Sequence, residues 1–360
     1  MPGRRMPQAP ARRRQSMFDS SIDLGTPAGW LPLVFAIVMA LAMLAYVILD
    51  GYDLGVGALL LNTPEISERD SMIASIGPFW DANETWLVLG VGVLLVAFPQ
   101  AHGVILGELY LPVALMLAGL ILRGVSFDFR VKAKALHRPL WDRAFQVGSL
   151  AASWAQGYML GQLITGFRGD WSSMIFGALI GFCLIGAYRL LGATWLIMKS
   201  EGQLQLKAVA WARSSLLMTA IGILAISLAS PLISDRIFYR WFSFPYVLIL
   251  SPIPITTALL FGLIHRSLSR LPEVLLKGGQ RGAGVPFVSA VGVFLLAFCG
   301  LAYSLFPWLI VDRLTIWQST SSVAALWVIF IGTVIVLPVI IGYTVYAYRV
   351  FWGKSTPLSY

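Results

Sequence analysis

Residues 29–57 read GWLPLVFAIVMALAMLAYVILDGYDLGVG. Residues 29–49 carry no charge, and as a helix they reach roughly 30 Å, the thickness of a bilayer's hydrocarbon core. Such a stretch reads as a membrane-spanning helix. It does not fade into a polar loop. Asp50 follows directly, Asp53 lies one turn later on the same face, and Gly51 and Gly55 form a small-xxx-small pair that lets another helix approach the backbone. Acids beside a close-packing glycine face point into protein rather than lipid. The helix is therefore expected to continue past Asp50 towards Leu61.

The rest of the chain repeats the apolar pattern. Of its 360 residues 58% are hydrophobic and only 12% charged, about half the charged fraction of a soluble globular domain. That leaves too few polar side chains to cover a water-exposed surface, and lipid is the solvent that removes the difficulty. Nine runs are long enough to span: 29–49, 83–101, 105–124, 144–166, 173–198, 209–233, 244–264, 287–311 and 323–350. The fold class is an all-α polytopic membrane protein, one transmembrane domain over 17–360 behind a basic extension, 1–16. The second and third runs are expected to form a tight hairpin about Pro99 to Gly107. The seventh is expected to be kinked or broken by Pro245, Pro252 and Pro254.

The net charge of +9 does not point to nucleic acid, because the cations sit in short connections between apolar runs. Arg130, Lys132, Lys134 and Arg138 follow the third run, Lys199 and Lys207 the fifth, and Arg266, Arg270, Lys277 and Arg281 the seventh. The intervening connections hold few, such as Arg168 and Arg313. By the positive-inside rule the richer set is cytoplasmic, which places the N-terminus outside and the C-terminus inside. Arg4, Arg5, Arg12, Arg13 and Arg14 conflict with that orientation. Translation from Met17 removes the conflict and is favoured over tolerance of an external arginine tail. Residues 1–16 do not read as a signal peptide.

Carboxylates are the chemistry-bearing feature. An ionised acid in or beside hydrocarbon costs a few kcal/mol even on lenient scales (about 2.5–3.5 at a helix centre), so it faces a partner or a water-filled path. Asp50 and Asp53 meet that description. Asp81 and Glu84 stand where the second helix begins, in the N-cap and capping-box spacing, which leaves Asp81 either a cap or a proton-carrying group. Arg123 and Asp128 read as an ion pair where the third helix leaves the membrane. On the orientation above all three clusters lie on the cytoplasmic side, so proton uptake along Asp50, Asp53, Asp81 and Glu84 is the natural role.

No haem or metal constellation emerges. His102, His137 and His265 stand apart at helix ends, Cys183 and Cys299 lie inside apolar runs, and none pairs at ligand spacing. No cofactor site is assigned to this chain. Trp80, Trp86, Trp171, Trp241, Trp308 and Trp317 read mainly as an interfacial aromatic belt.

Residues 49–57, together with Pro78-Phe79-Trp80-Asp81-Ala82-Asn83-Glu84-Thr85-Trp86 and Arg123-Gly124-Val125-Ser126-Phe127-Asp128-Phe129-Arg130, resemble in order and spacing the signatures of subunit II of cytochrome bd-type quinol oxidases. Residues 314–322 resemble the family's segment before its last helix. The likeness runs from about Met17 to the end and leans towards the cyanide-insensitive branch. The chain departs from better-known members in its basic extension, in Phe79 where some carry histidine, and in Glu108.

The resemblance implies nine helices arranged as two four-helix bundles plus a peripheral helix, in the bacterial inner membrane. It implies a heterodimer with a haem-bearing subunit I that holds haems b and d, or b alone. Quinol is then the substrate of the complex, with room for a small single-helix subunit and, in some members, a structural quinone. By position, Asp50 and Asp81 match carboxylates of a hydrophilic proton channel, and Trp86 matches a tryptophan beside an oxygen path. The alternative is an ion-coupled secondary transporter, with Asp50 and Asp53 binding the coupling ion and the broken seventh helix forming a substrate site. It explains the prolines better, but it does not explain why the acids sit towards one face.

Overall fold

The computed structural model describes residues 22–134, 136–233 and 235–355; the basic segment 1–16 and Met17 lie outside them. The helices are α1 Pro27–Leu59, α2 Ile66–Ile76, α3 Trp80–Ala97, α4 Pro99–Glu108, α5 Tyr110–Lys132, α6 Arg138–Thr165, α7 Trp171–Lys199, α8 Gly202–Ile233, α9 Asp235–Phe242, α10 Tyr246–Leu250, α11 Pro252–Leu276, α12 Val285–Leu305 and α13 Val323–Val350. A two-stranded antiparallel hairpin, β1 Trp308–Ile310 with β2 Leu314–Thr315, precedes α13. As expected, α1 runs on past Asp50, and a 3-10 turn continues it over Leu60–Asn62.

Among the described residues, eight segments are long and apolar enough to cross a membrane. The expected fourth run, 144–166, is not one of the eight, although α6 holds 28 residues. Its polar side chains explain the difference, because they are satisfied inside the protein. Gln146 donates to the Ala58 carbonyl at 3.0 Å, Gln156 to the Tyr46 hydroxyl at 2.7 Å and Gln162 to the Ser173 carbonyl at 2.9 Å. Ser149 and Ser153 bond back to the carbonyls four residues earlier. The helix is packed between α5 and α7 and against α1, so a hydropathy scale counts as water-loving what the fold keeps dry.

Two proline effects shift the expected bounds. Phe98 leaves the helical region at φ −129°, ψ 56°, as a residue before proline does. Pro99 then opens α4, so the hairpin turn expected at Pro99 to Gly107 is itself a ten-residue helix. The seventh run breaks at Ser251, and Pro252 begins α11, where the missing N–H costs nothing.

Helices α1, α3, α5 and α6 form one bundle, and α7, α8, α11 and α12 close a second. They meet along α1 and α7, where backbones nearly touch. A methyl built on Gly55 would lie 1.8 Å from the Tyr188 carbonyl oxygen, and one on Gly192 would lie 2.4 Å from the Gly55 carbonyl carbon. That approach is what the Gly51–Gly55 spacing anticipates. Helix α13 lies outside both bundles, against α1 and α3.

The two ends of the molecule are tied differently. At the end bearing Asp81, the short helix α2 is pinned by ion pairs. Arg69 meets Asp142 at 3.0 Å, Arg130 bridges Asp142 and Asp70, and Lys207 meets Glu68 at 2.7 Å. Partial burial works to raise the Glu68 carboxyl, but hydrogen bonds from Lys207 and Thr63 and the charge of Lys207 outweigh it and hold the group below its ordinary value. The tail after α13 closes over the same end: Lys199 Nζ donates to the Phe351 carbonyl, and the Ser355 amide to the Lys199 carbonyl, both at 2.8 Å. At the far end Arg313, beside the hairpin, pairs with Glu108 at 2.8 Å, and the Trp317 indole donates to the Gly29 carbonyl at 2.8 Å.

Candidate functional site: buried carboxylates around one guanidinium

From Asp50 to Leu59 every residue of α1 is buried. The glycines draw α7 against this stretch, and the two acids are sealed with no solvent exposure. A buried ionised group must be compensated, and the helices around α1 supply the compensation in two groups.

The first group centres on Arg123 of α5, 1% exposed. Its Nη1 lies 2.7 Å from Oδ1 of Asp50, and its Nη2 hydrogen-bonds Oε1 of Glu84 on α3. Asp50 is thus held by the Arg123 charge, with the Tyr46 hydroxyl also facing its carboxylate. The Glu84 side chain is 30% exposed, so this group runs from a wetted carboxylate to a sealed one through a single cation. Beside it, Tyr188 donates to Oε1 of Gln156, and Nε2 of that glutamine donates to the Tyr46 hydroxyl, both at 2.7 Å.

The second group centres on Asn83 of α3, which is fully buried. Its Nδ2 donates to Oδ2 of Asp53 at 2.8 Å, to the Tyr52 hydroxyl at 2.9 Å and to the Leu49 carbonyl at 3.2 Å. Its Oδ1 accepts from the Tyr348 hydroxyl of α13 at 3.2 Å, and the two tyrosine hydroxyls lie 2.6 Å apart. The tyrosine rings are fixed by packing: Tyr52 stacks on Trp195 with centroids 4.1 Å apart, and Tyr348 lies 4.7 Å from Phe79.

The structure thus brings Asp50, Asp53 and Glu84 together. It corrects two expectations. Arg123 does not pair with Asp128: five residues on a helix turn about 140°, so Arg123 faces the bundle while Asp128 is exposed. Asp81 is not the N-cap of α3. Phe79 holds that position, with no side-chain cap bond, which puts Asp81, itself exposed, in the first turn and Glu84 beyond capping-box range. Trp86 is 7% exposed and packs with Ala42 and Tyr46, and its indole N–H has no acceptor among the described residues.

Asn83, Tyr52, Tyr348, Tyr46, Gln156 and Tyr188 were not singled out from the sequence. Tyr52 and Asn83 lie within the quoted motifs, and a buried amide inside an apolar helix was a usable signal. Tyr348 carries none, because its partners lie 296 and 265 residues away. Among the described residues no three His, Cys, Asp or Glu side chains gather as a metal site. His137 and His265 are exposed and His102 is half-buried in the first turn of α4.

Comparison with known proteins gives the lineage. A family described as cytochrome bd terminal oxidase subunit II matches residues 31–351. Cytochrome bd-I ubiquinol oxidase subunit 2 of Escherichia coli (strain K12) is 30% identical over 208 residues, 53% of this chain and 55% of that protein, so the chain spans about half the length of that relative. Cytochrome bd ubiquinol oxidase subunit 2 of Bacillus subtilis (strain 168) is 28% identical over 348 residues, 90% of this chain and 97% of that protein. Among solved structures, the bd oxidase from Geobacillus thermodenitrificans contains a similar fold, with a TM-score of 0.68 at 19% identity, covering 89% of this chain and 98% of that one.

Proposed function

Because the chain belongs to the cytochrome bd terminal oxidase subunit II family, we propose that it serves as the second subunit of a membrane quinol:oxygen oxidoreductase and supplies the route by which protons reach the oxygen-reducing centre. The observation that carries this reading is the imbalance of the buried cluster. Two carboxylates, Asp50 and Glu84, pair with one guanidinium, Arg123, and a third, Asp53, lies sealed within reach of the same charge with the Asn83 amide as its hydrogen-bond donor. One cation cannot compensate three ionised acids in a low dielectric, so the site is built to hold a proton and to release it when charge changes nearby.

The groups are arranged in order. Asp81 and Glu84 meet solvent at the start of α3, and Asp50 and Asp53 lie sealed behind them. In this proposal the Asp81 end is cytoplasmic, with the N-terminus outside and the C-terminus inside, as the cation distribution indicates. Uptake from that side consumes protons across part of the membrane field and so adds to the potential. Trp86, packed against Tyr46, lines an oxygen path. Haem chemistry belongs to a partner subunit I in a heterodimer, with quinol as the complex's substrate. A small single-helix subunit and a structural quinone belong to the same proposal.

The test is Asp50→Asn, which keeps the shape and removes the titrating oxygen. Oxygen consumption by the assembled complex is expected to fall at least about tenfold, about 1.4 kcal/mol on the barrier, with haem content unchanged. Wild-type turnover would reject the proton role, and loss of the assembled complex would mark Asp50 as a packing residue instead.

A further inference from the structure

We propose that Asn83 is the positioning residue for Asp53, its amide held in one orientation by Tyr52 and Tyr348, so that an incoming proton is received at Oδ1 of Asp53. This rests on the proton-uptake reading above and adds a mechanism to it.

An asparagine amide has a donating end and an accepting end of nearly equal size, and its neighbours decide which way it points. Here they agree. On the nitrogen side are three oxygens that accept: the Asp53 carboxylate, the Leu49 carbonyl and the Tyr52 hydroxyl. On the oxygen side is a hydroxyl that donates, Tyr348. Since Tyr52 accepts from Asn83, its own hydrogen is free to go to Tyr348, 2.6 Å away, and the hydrogen of Tyr348 then goes to Oδ1 of Asn83. The three side chains close a ring of donors running in one direction. Flipping the amide would set its oxygen against the Leu49 carbonyl and the Asp53 carboxylate, three acceptor oxygens with no hydrogen between them, and would break the ring as well.

A fixed amide makes the two oxygens of Asp53 unequal. Oδ2 faces an N–H and is committed as an acceptor. Oδ1 is buried and has no hydrogen-bond partner among the described residues. A proton delivered from solvent therefore forms an O–H bond at Oδ1 as the O–H bond of its hydronium carrier breaks; the carrier is left as water, the anion becomes the neutral acid, and no electron is transferred. The charged and titratable groups that face Asp53 are Asp50 and Tyr52 on α1, Glu84 on α3, Arg123 on α5 and Tyr348 on α13. Of these, only Tyr52 and Tyr348 touch Asn83. Their removal therefore isolates the amide's orientation from the charge balance around Arg123.

The experiment compares Tyr348→Phe and Asn83→Leu with Asp53→Asn in the assembled oxidase. Two readouts are taken: the pH profile of oxygen consumption, and the infrared carboxyl C=O band identified by its loss in Asp53→Asn. Tyr348→Phe keeps the ring against Phe79 and removes only the hydroxyl, so it carries the test if Asn83→Leu does not assemble. The expected result is a profile moved by about half a pH unit or more and a displaced carboxyl band, with haem content unchanged. Wild-type profile and band position in Tyr348→Phe would overturn the positioning role while leaving proton uptake through Asp53 intact. Wild-type turnover in Asp53→Asn would overturn the uptake reading for that residue, and this inference with it.

Discussion

Arg123 is buried between two carboxylates of the site, Asp50 and Glu84, and its removal is an informative single change. Arg123→Leu would leave Asp50 sealed without a counter-charge and Glu84 without its donor. Breaking a buried pair in this way costs about 3–5 kcal/mol, so the purified complex is expected to melt at a clearly lower temperature. Asp128→Asn, on an exposed carboxylate, should leave the melting point where it is. Equal effects would restore the Arg123–Asp128 pairing that the structure replaces. The acids at 50 and 53 were legible in the sequence because a charge at the end of an apolar run demands a reason. Their partners were not. Arg123 looks closest to Asp128 along the chain, and only the helix's rotation sends the two apart. Trp86 was legible as a tryptophan one turn beyond Asp81, but its unpartnered indole and its packing on Tyr46 are products of the fold.

Between elements, the close contact of α1 and α7 makes a sharp steric prediction. In Gly55→Ala the added methyl meets backbone, which cannot yield, so the helices must separate. A loss of about 1–3 kcal/mol is expected, read as a lower thermal midpoint or failed assembly. Gly92→Ala is the control, because nothing lies within 4 Å of a methyl there, and as a mid-helix substitution it should be neutral or stabilising by up to about 1 kcal/mol. The tie between α2 and α8 is pH-dependent with a definite sign. The Glu68 carboxyl is held below its ordinary value in the folded chain. Its contribution is therefore fully present above the unfolded value and is lost as pH falls through the lower, folded one. Amide protection over 66–76, each rate taken relative to the intrinsic rate at the same pH, should fall on acidification in that range, and in Glu68→Gln it should be low at every pH. The break in the seventh run was legible from its prolines, and Pro252 opens α11 there, whereas Pro99 opens a helix where a turn was expected. Helix α6 shows the opposite case, because its glutamines and serines look hydrophilic until their partners on α1 and α7 are known.

For the whole molecule, the two-bundle layout follows from packing between helices that are not neighbours in the chain, such as α8 against α11. Local patterning cannot specify these, and here they were anticipated only through family resemblance. The cation distribution makes its own prediction about orientation. In a background of Cys183→Ala and Cys299→Ala, Trp171→Cys and Leu136→Cys place single thiols at residues 80% and 86% exposed. A membrane-impermeant thiol reagent should label position 171 in intact cells and position 136 only after lysis; the reverse pattern would invert the topology and remove the cytoplasmic uptake route. The peripheral seat of α13 has a consequence for biogenesis. Tyr348 leaves the ribosome long after Tyr52 and Asn83, and the tail that docks on Lys199 follows it. Until that helix inserts, Asn83 lacks the hydroxyl that orients it and Asp53 has no defined proton-accepting face. On the proposed uptake route, a nascent subunit with both bundles in place would therefore be protonically silent, and insertion of α13 would be the maturation step that arms it.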